Sequence, residues 1–147
     1  MDFLLPIPVW GTRVVFFIDE KEESLKECIR RNSKNLTLKD IEELRDALRD
    51  DTIDGQVNSF EKGGYYCLIK SPYDETCWAH EIFHVVNRIL TDRGVVHESS
   101  AEPWAYLDGF IVKSYLREIR PAYAKEKKKN GTKSVPNSNR ETGVQKD

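Results

Sequence analysis

Apolar residues along this chain fall into short runs typical of strands and longer stripes typical of helices, which predicts an α+β fold. Residues 14–18 form a β-branched and aromatic run of the kind found in buried strands. Residues 56–60 and 64–71 predict two more strands, and the glycines in the turn between them suit a β-hairpin. We therefore expect a small, mostly antiparallel sheet.

Helical periodicity fills much of the remaining chain. Residues 19–32 predict a first helix, and Thr37 is a suitable N-cap for a second helix that runs to about Arg49. The apolar stripe expected on this second helix consists of Leu38, Ile41, Leu44 and Leu48. A third helix is predicted over residues 75–93, with Gly94 as the left-handed residue that ends it.

A last helix is predicted after a short connector. Ser99 and Glu102 have the spacing of a capping box, and Pro103 is tolerated in a first helical turn. The residue before Pro121 is disfavoured in the helical conformation, so the helix is expected to end near Ile119.

Charge is distributed unevenly along the chain, although the formal net charge is only -2. Residues 1–112 hold 13 Lys and Arg against 21 Asp and Glu, whereas residues 113–147 hold 10 against 4. Residues 125–147 also contain almost no large apolar side chain, as in disordered segments. We expect one domain over residues 1–120 and a basic, disordered tail over residues 121–147.

Length and composition narrow the class of protein. The chain has 147 residues, of which 39% are hydrophobic and 33% charged, and no apolar run approaches the ~20 residues that span a bilayer. Its three cysteines form no C-x-x-C pair, and its start lacks the pattern of a secretory signal. These features favour a cytoplasmic protein that uses no membrane.

The segment from His80 to His84 reads H-E-x-x-H and falls within the third predicted helix. Residues four apart share a helix face, so both imidazoles can reach one metal ion. Zinc binds imidazole well, and a catalytic zinc site has three protein ligands and an open position for water. Glu81, about 100° around the helix from His80, can reach that water as a general base.

The surroundings of the motif are mostly apolar, which predicts a buried helix. Buried imidazoles and carboxylates need partners, and a metal ion supplies them. The alternative is a pair of hydrogen-bonded core histidines, with Glu81 in an ion pair with Arg88 or Lys70.

The candidates for the third ligand lie farther along the chain and are His97, Glu98 and Glu102. We favour Glu102, because a helix that packs beside the motif helix would hold its carboxylate rigidly. Its alternative role is to cap its own helix together with Ser99. Cys77 also lies near the motif, and a thiol at such a position is more often part of the core than a ligand.

Residues 79–84, followed by the Ser-Ala-Glu-Pro-Trp-Ala-Tyr-Leu stretch of residues 100–107, resemble small gluzincin-type metallopeptidases encoded by phages and prophages. More distantly, they are similar to ImmA/IrrE-like peptidase domains. The resemblance implies a zincin-like α+β fold in which the sheet packs against the motif helix and a following C-terminal helix. It also implies zinc held by His80, His84 and Glu102, with Glu81 as the catalytic base.

The expected activity is hydrolysis of a peptide or protein substrate in the cytoplasm, which is the host cytoplasm if a phage encodes the chain. The strand at residues 65–69 is a candidate edge for binding an extended peptide, and Tyr106 is a candidate oxyanion stabiliser. Two other functions stay open. One is a metal-binding regulatory or interaction module without turnover, and the other is a nucleic-acid-binding accessory protein that uses the basic tail.

Overall fold

The computed structural model describes residues 1–21, 36–96 and 101–131, together with Leu25, Glu27, Arg30 and Arg31. Within this part, the chain forms a four-stranded sheet with helices on both of its faces, which confirms the expected α+β class. The strands are β1 (Asp2–Ile7), β2 (Thr12–Ile18), β3 (Gly55–Ser59) and β4 (Tyr65–Ile69). The helices are α1 (Leu38–Arg49), α2 (Glu75–Asp92), α3 (Ala101–Ser114) and α4 (Arg120–Gly131).

The sheet is mixed, with strand order β1-β2-β4-β3. The outer pairings, β1 with β2 and β3 with β4, are antiparallel, whereas β2 and β4 pair in parallel at the centre. The predicted hairpin is confirmed as β3 and β4, and its turn uses Gly63 and Gly64 at φ values of 89° and 88°. Strand β4 is buried at every position, and β3 is the outer strand on its side of the described sheet.

Side chains on the two faces of the sheet contribute to two separate cores. Helices α2, α3 and α4 cover one face, which includes Val14, Phe16, Cys67 and Ile69. Helix α1 covers the other face, which includes Val15, Phe17, Tyr66 and Leu68. Alternate residues of β2 and β4 therefore point to opposite helical layers, as the pleat of a strand requires. Buried on both faces, these two strands carry nearly continuous apolar runs.

Helix α1 begins as predicted, with Thr37 at its N-cap in a reciprocal capping box with Asp40. The expected apolar stripe is only partly correct, because Leu38 is 81% exposed whereas Leu44 and Ala47 are buried. The reason is that Asp40 turns inward: it binds the Thr37 N–H at 2.7 Å and the Glu61 N–H at 3.2 Å. The buried face of α1 is thereby rotated away from Leu38.

Helix α2 also has the predicted bounds and well-formed ends. The Asp74 side chain accepts hydrogen bonds from the Thr76 and Cys77 N–H groups, at 2.9 and 3.3 Å. At the other end, the Gly94 N–H binds the Thr91 carbonyl and the Val95 N–H binds the Leu90 carbonyl, both at 2.9 Å. With Gly94 at φ 71°, these contacts form a Schellman motif.

The predicted end of the last helix near Ile119 is wrong. The helical path passes through a π-helical turn at Tyr115–Ile119 and continues as α4 to Gly131. Within this wider turn the Arg120 N–H reaches the Tyr115 carbonyl, five residues back, which lets the chain accommodate Pro121 without leaving the helix. Residues 125–131 are therefore helical rather than disordered, and residues 132–147 lie outside the described chain. The division into a domain and a basic tail stays a prediction.

Strand β1 is not anticipated by the sequence. Half of the residues in the helix predicted over residues 19–32 lie outside the described chain; of the others, residues 19–21 are not helical, whereas Leu25, Glu27, Arg30 and Arg31 are. Of that segment, Leu25 is buried in the core beneath α1. In the described chain, no helix has the length and apolar character needed to cross a membrane.

Candidate metal centre

Helix α2 presents one face to the core and another to an open cleft. Its core face consists of Trp78, Ile82, Val85, Val86, Ile89 and Leu90, all buried. The opposite side carries His80 and His84, which are exposed, so the motif is anchored by the core without lying in it. The expectation of a helix buried around most of its circumference is therefore wrong, and Phe83, which is 53% exposed, is one of the residues it misplaced.

The two histidines converge on one point. Their Nε2 atoms are 2.9 Å apart and the rings are nearly perpendicular, at 88°. The 2.9 Å separation is that of a hydrogen bond, and tetrahedral zinc with Zn–N bonds of ~2.0–2.1 Å would hold two such nitrogens ~3.3 Å apart, so the two nitrogens would have to separate by ~0.4 Å to share the ion. Burial, followed by the charge of His80, lowers the pKa of His84, which favours the neutral ring that binds metals. The two donors thus fit a zinc ion.

Glu81 lies beside the histidines but is only 6% exposed. Its side chain packs against Gly55 at the start of β3, where an added Cβ would come within 2.5 Å of the Glu81 Cγ. Burial raises the pKa of Glu81, the nearby His80 opposes this rise, and Asp54 adds to it. A carboxylate whose pKa is shifted toward neutrality is better matched to proton transfer than an exposed one.

Arg88 and Lys70, which the alternative interpretation pairs with Glu81, contact other residues instead. Arg88 contacts Ser59 and Asp92, and the Lys70 ammonium donates to the Asp50 carbonyl at 2.6 Å. The alternative of a hydrogen-bonded pair of core histidines is half correct. The two rings are hydrogen bonded to each other, but they are exposed and do not lie in the core.

The third ligand is not assembled in the described residues. Glu102 lies in the first turn of α3 and is exposed, and no group of three His, Cys, Asp or Glu side chains is poised to hold a metal within the ranges given above. Helix α3 does pack beside α2, where Phe83 lies between His84 and Trp104 at ring distances of 6.1 and 6.4 Å. Glu102 as a ligand stays a prediction, and the alternatives His97 and Glu98, like the capping partner Ser99, lie outside the described residues.

The histidines and Glu81 open into a cleft of about 470 Å³ between α2 and β3. Its lining residues are Gly55, Gln56, Val57, His80, Glu81, His84, Asn87, Arg88, Thr91 and Asp92. The strand at the cleft is β3 and not the strand at residues 65–69, which lies between β2 and β3 and has both edges paired. The proposed peptide-binding edge is therefore corrected to β3.

This chain matches no protein-family model, no curated protein and no solved structure. The resemblance to gluzincin-type peptidases accordingly stays a prediction carried by the motif. Function has to be inferred from α2 and the residues around it.

Cys77 and Tyr106 were also candidates for the site. Cys77 is buried, its thiol donates to the Asp54 carbonyl at 3.3 Å, and burial raises its pKa, which suits a core thiol. Tyr106 is 59% exposed on α3, so its role as an oxyanion stabiliser stays a prediction.

Sequence reasoning missed Gly55, and it considered Arg88 only as an ion-pair partner of Glu81 and not as a residue that lines the cleft. Gly55 leaves space for the Glu81 side chain, and only the pairing of β3 with β4 reveals that the two meet. Arg88 could have been found from its spacing, because it follows Glu81 by seven residues and so shares its side of the helix.

Proposed function

We propose that this protein is a zinc-dependent peptidase, with His80 and His84 as metal ligands and Glu81 as the general base. The observation that carries the proposal is the convergence of two imidazole Nε2 atoms beside a buried carboxylate, in a cleft bordered by a strand edge. The two ring nitrogens share a hydrogen bond, and a shared metal ion would replace that bond by binding both.

Within this proposal, Glu102 supplies the third ligand after a local adjustment at the start of α3. Bound zinc would lower the pKa of a water molecule toward ~7 and polarise the carbonyl of the scissile bond. Glu81 would accept a proton from the attacking water and return it to the leaving amine. Its burial against Gly55 holds the carboxylate in one place, which a proton shuttle requires.

The outer edge of β3 gives a substrate peptide a place to bind. Its backbone N–H and C=O groups on the side away from β4 can pair with an extended chain, as in β-strand addition, except for the Ser59 N–H, which already donates to the Asn58 side chain at 2.9 Å. Gln56 and Val57 on this strand line the same cleft as the histidines. A peptide bound there would lie in the cleft that Glu81 and the two histidines line.

The proposal is tested by metal content and hydrolysis together. We expect purified wild-type protein to hold about one zinc ion per chain by elemental analysis and His80→Ala to hold almost none. Glu81→Gln should retain the metal but lose at least ~100-fold in peptide hydrolysis, because general base catalysis contributes 10²–10⁴-fold.

The matched control is Glu75→Gln, an exposed position in the first turn of the same helix. It should retain both metal and activity. Negligible zinc in wild type and His80→Ala alike would contradict the metal site, and hydrolysis unaffected by Glu81→Gln would contradict the catalytic role.

A second candidate is a metal-bound regulatory or interaction module, favoured by the exposed position of Glu102 in α3. It predicts that Glu81→Gln retains metal and the full biological effect.

A third candidate is nucleic-acid binding by the basic residues of α4. It predicts an affinity that falls steeply with salt and is reduced by replacing Lys125, Lys128 and Lys129 with glutamine. Binding that does not depend on salt would exclude this candidate.

A further inference from the structure

We infer that Arg88 recognises a carboxylate of the substrate, three or four residues from the bond that is cleaved. The inference rests on the proposed function, which it extends by giving the peptidase a substrate class. Arg88 lines the same cleft as His80, Glu81 and His84, and it is half-exposed, so a bound peptide can reach its guanidinium.

Two neighbours hold the guanidinium in place. Arg88 Nη2 donates to the Ser59 hydroxyl at 3.3 Å, and Arg88 Nε lies 3.8 Å from the Asp92 carboxylate. Asp92 is fixed in turn by the Tyr65 hydroxyl, which donates to it at 3.0 Å. These contacts join α2 to the end of β3 and engage Nε and Nη2, leaving the planar fork another nitrogen, Nη1, with which to bind an anion.

Arg88 and Asp92 form only a weak ion pair. The Arg88–Asp92 separation is long for a charge-assisted hydrogen bond, and the same Asp92 oxygen accepts the shorter bond from Tyr65. An exposed pair of this kind is worth ~0–1 kcal/mol, so an incoming carboxylate can compete for the guanidinium.

The spacing between Arg88 and the catalytic end follows from two independent measures. Seven helical residues separate Glu81 from Arg88, which amounts to ~10 Å along α2. On the other wall of the cleft, Gly55 contacts Glu81 and Ser59 contacts Arg88, and four strand steps of β3 span ~13 Å. An extended peptide covers 10–13 Å in three to four residues.

Two sources can supply the carboxylate: an acidic side chain within the peptide, or the free carboxyl terminus of a short one. Both offer carboxylate oxygens that can accept a charge-assisted hydrogen bond from Nη1 of Arg88. Amidation of the peptide terminus removes the charge of a carboxyl terminus but not that of an acidic side chain, so it distinguishes the two sources.

The test uses random decapeptide libraries with either a free or an amidated carboxyl terminus, each made also with Asp and Glu replaced by Asn and Gln. Cleavage by the zinc-loaded wild-type protein is mapped by mass spectrometry. If an acidic side chain is recognised, we expect acidic residues to be enriched about tenfold at one position three or four residues from the cleaved bond. If the carboxyl terminus is recognised, cleavage three or four residues from that terminus should occur only in the libraries in which it is free. Arg88→Gln should abolish that preference while cleavage of the neutral libraries continues, and Arg88→Lys should retain part of it.

Binding provides a readout that does not need turnover. Immobilised Glu81→Gln protein should retain the acidic libraries about tenfold better than the neutral ones, and the Glu81→Gln, Arg88→Gln double variant should retain both equally. The matched control is Arg93→Gln, at an exposed position just beyond α2 and outside the cleft lining. Binding discrimination without any cleavage would support Arg88 while contradicting the peptidase, and wild-type cleavage or binding with no preference for a carboxylate would overturn the inference.

Discussion

Glu81 shows how one residue can belong to the core and to the proposed chemistry. Its side chain fills a space that exists only because position 55 has no Cβ, and its carboxylate lies at the floor of the cleft beside His80. The environment that raises its pKa is therefore built by backbone packing between α2 and β3. Position 55 becomes a place where the site can be tested without changing any charged group.

Gly55→Ala should disrupt this arrangement. The new Cβ would lie 2.6 Å from the Leu68 carbonyl oxygen and 2.5 Å from the Glu81 Cγ, so strand and side chain would both have to move. We expect a loss of about 1–3 kcal/mol in the free energy of unfolding, as is typical of overpacking, together with reduced hydrolysis. Urea denaturation measures the first effect and a peptide assay the second.

Gly109→Ala is the control for this substitution, because its Cβ would meet no atom within 4 Å and Gly109 lies within α3. Alanine in a helix should raise stability by about 0.5–1 kcal/mol. A Gly55→Ala protein as stable and active as Gly109→Ala would show that the contact with Glu81 is unimportant.

At the scale of elements, the ends of the helices were predictable where local chemistry decides them. Thr37 caps α1 and Gly94 ends α2, and both depend on neighbours within a few residues. The buried face of α1 was harder to predict, since Asp40 points inward to bind the N–H of Glu61, 21 residues away. The helix end predicted before Pro121 was wrong for a related reason. A π-helical turn accommodates the proline within the helix, and the spacing of apolar residues does not reveal such a turn.

The N-cap of α2 gives a prediction at this scale. Asp74→Ala removes the acceptor for two N–H groups at the start of the helix that carries the motif. We expect a loss of about 1 kcal/mol in stability, measured by chemical denaturation, with zinc content unchanged because His80 lies more than a turn away. Asp51→Ala, at an exposed position after α1, serves as control and should change stability by less than ~0.5 kcal/mol. Equal stability of the two variants would contradict the capping role.

At the scale of the whole molecule, α4 is attached to the sheet by residues distant in sequence. Tyr123 is buried and its hydroxyl donates to Asp19, just after β2, while the Lys127 ammonium lies 2.7 Å from the same carboxylate. Burial pushes the pKa of Asp19 upward, but hydrogen bonds from Lys127 and Tyr123, with the charges of Lys127 and the amino terminus, outweigh it and leave the pKa below its usual value. The carboxylate form is thus the one that the folded state favours.

The attachment should therefore weaken in acid. A carboxyl group with a lowered pKa contributes stability above the pKa of the unfolded chain, ~3.9, and loses it as the pH falls through the folded value. We expect Asp19→Asn to be less stable than wild type by roughly 1 kcal/mol at pH 6, and the difference to shrink as the pH falls below ~3.9 and through the lowered pKa of Asp19, as measured by urea unfolding. A stability gap between Asp19→Asn and wild type that does not shrink as the pH is lowered below ~3.9 would contradict the assignment.

Long-range pairing marks the limit of what the sequence could predict. The apolar runs at residues 14–18 and 65–69 predicted strands, but nothing local indicates that β2 and β4 pair in parallel or that β3 lies outside them. The edge strand was misassigned for that reason. The same limit applies to the metal centre: His80 and His84 are joined by helical spacing, whereas a ligand from α3 depends on how two helices pack.

The division of α2 between a core face and an open face has a consequence for how the protein could change over time. Six buried apolar residues hold the helix in place, and none of them contacts solvent in the cleft. The exposed residues His80 and His84 can therefore be replaced without disturbing that core, whereas Glu81, which packs against Gly55, cannot be changed independently of the scaffold. The two halves of the proposed site thus differ in how closely they are tied to the stability of the fold.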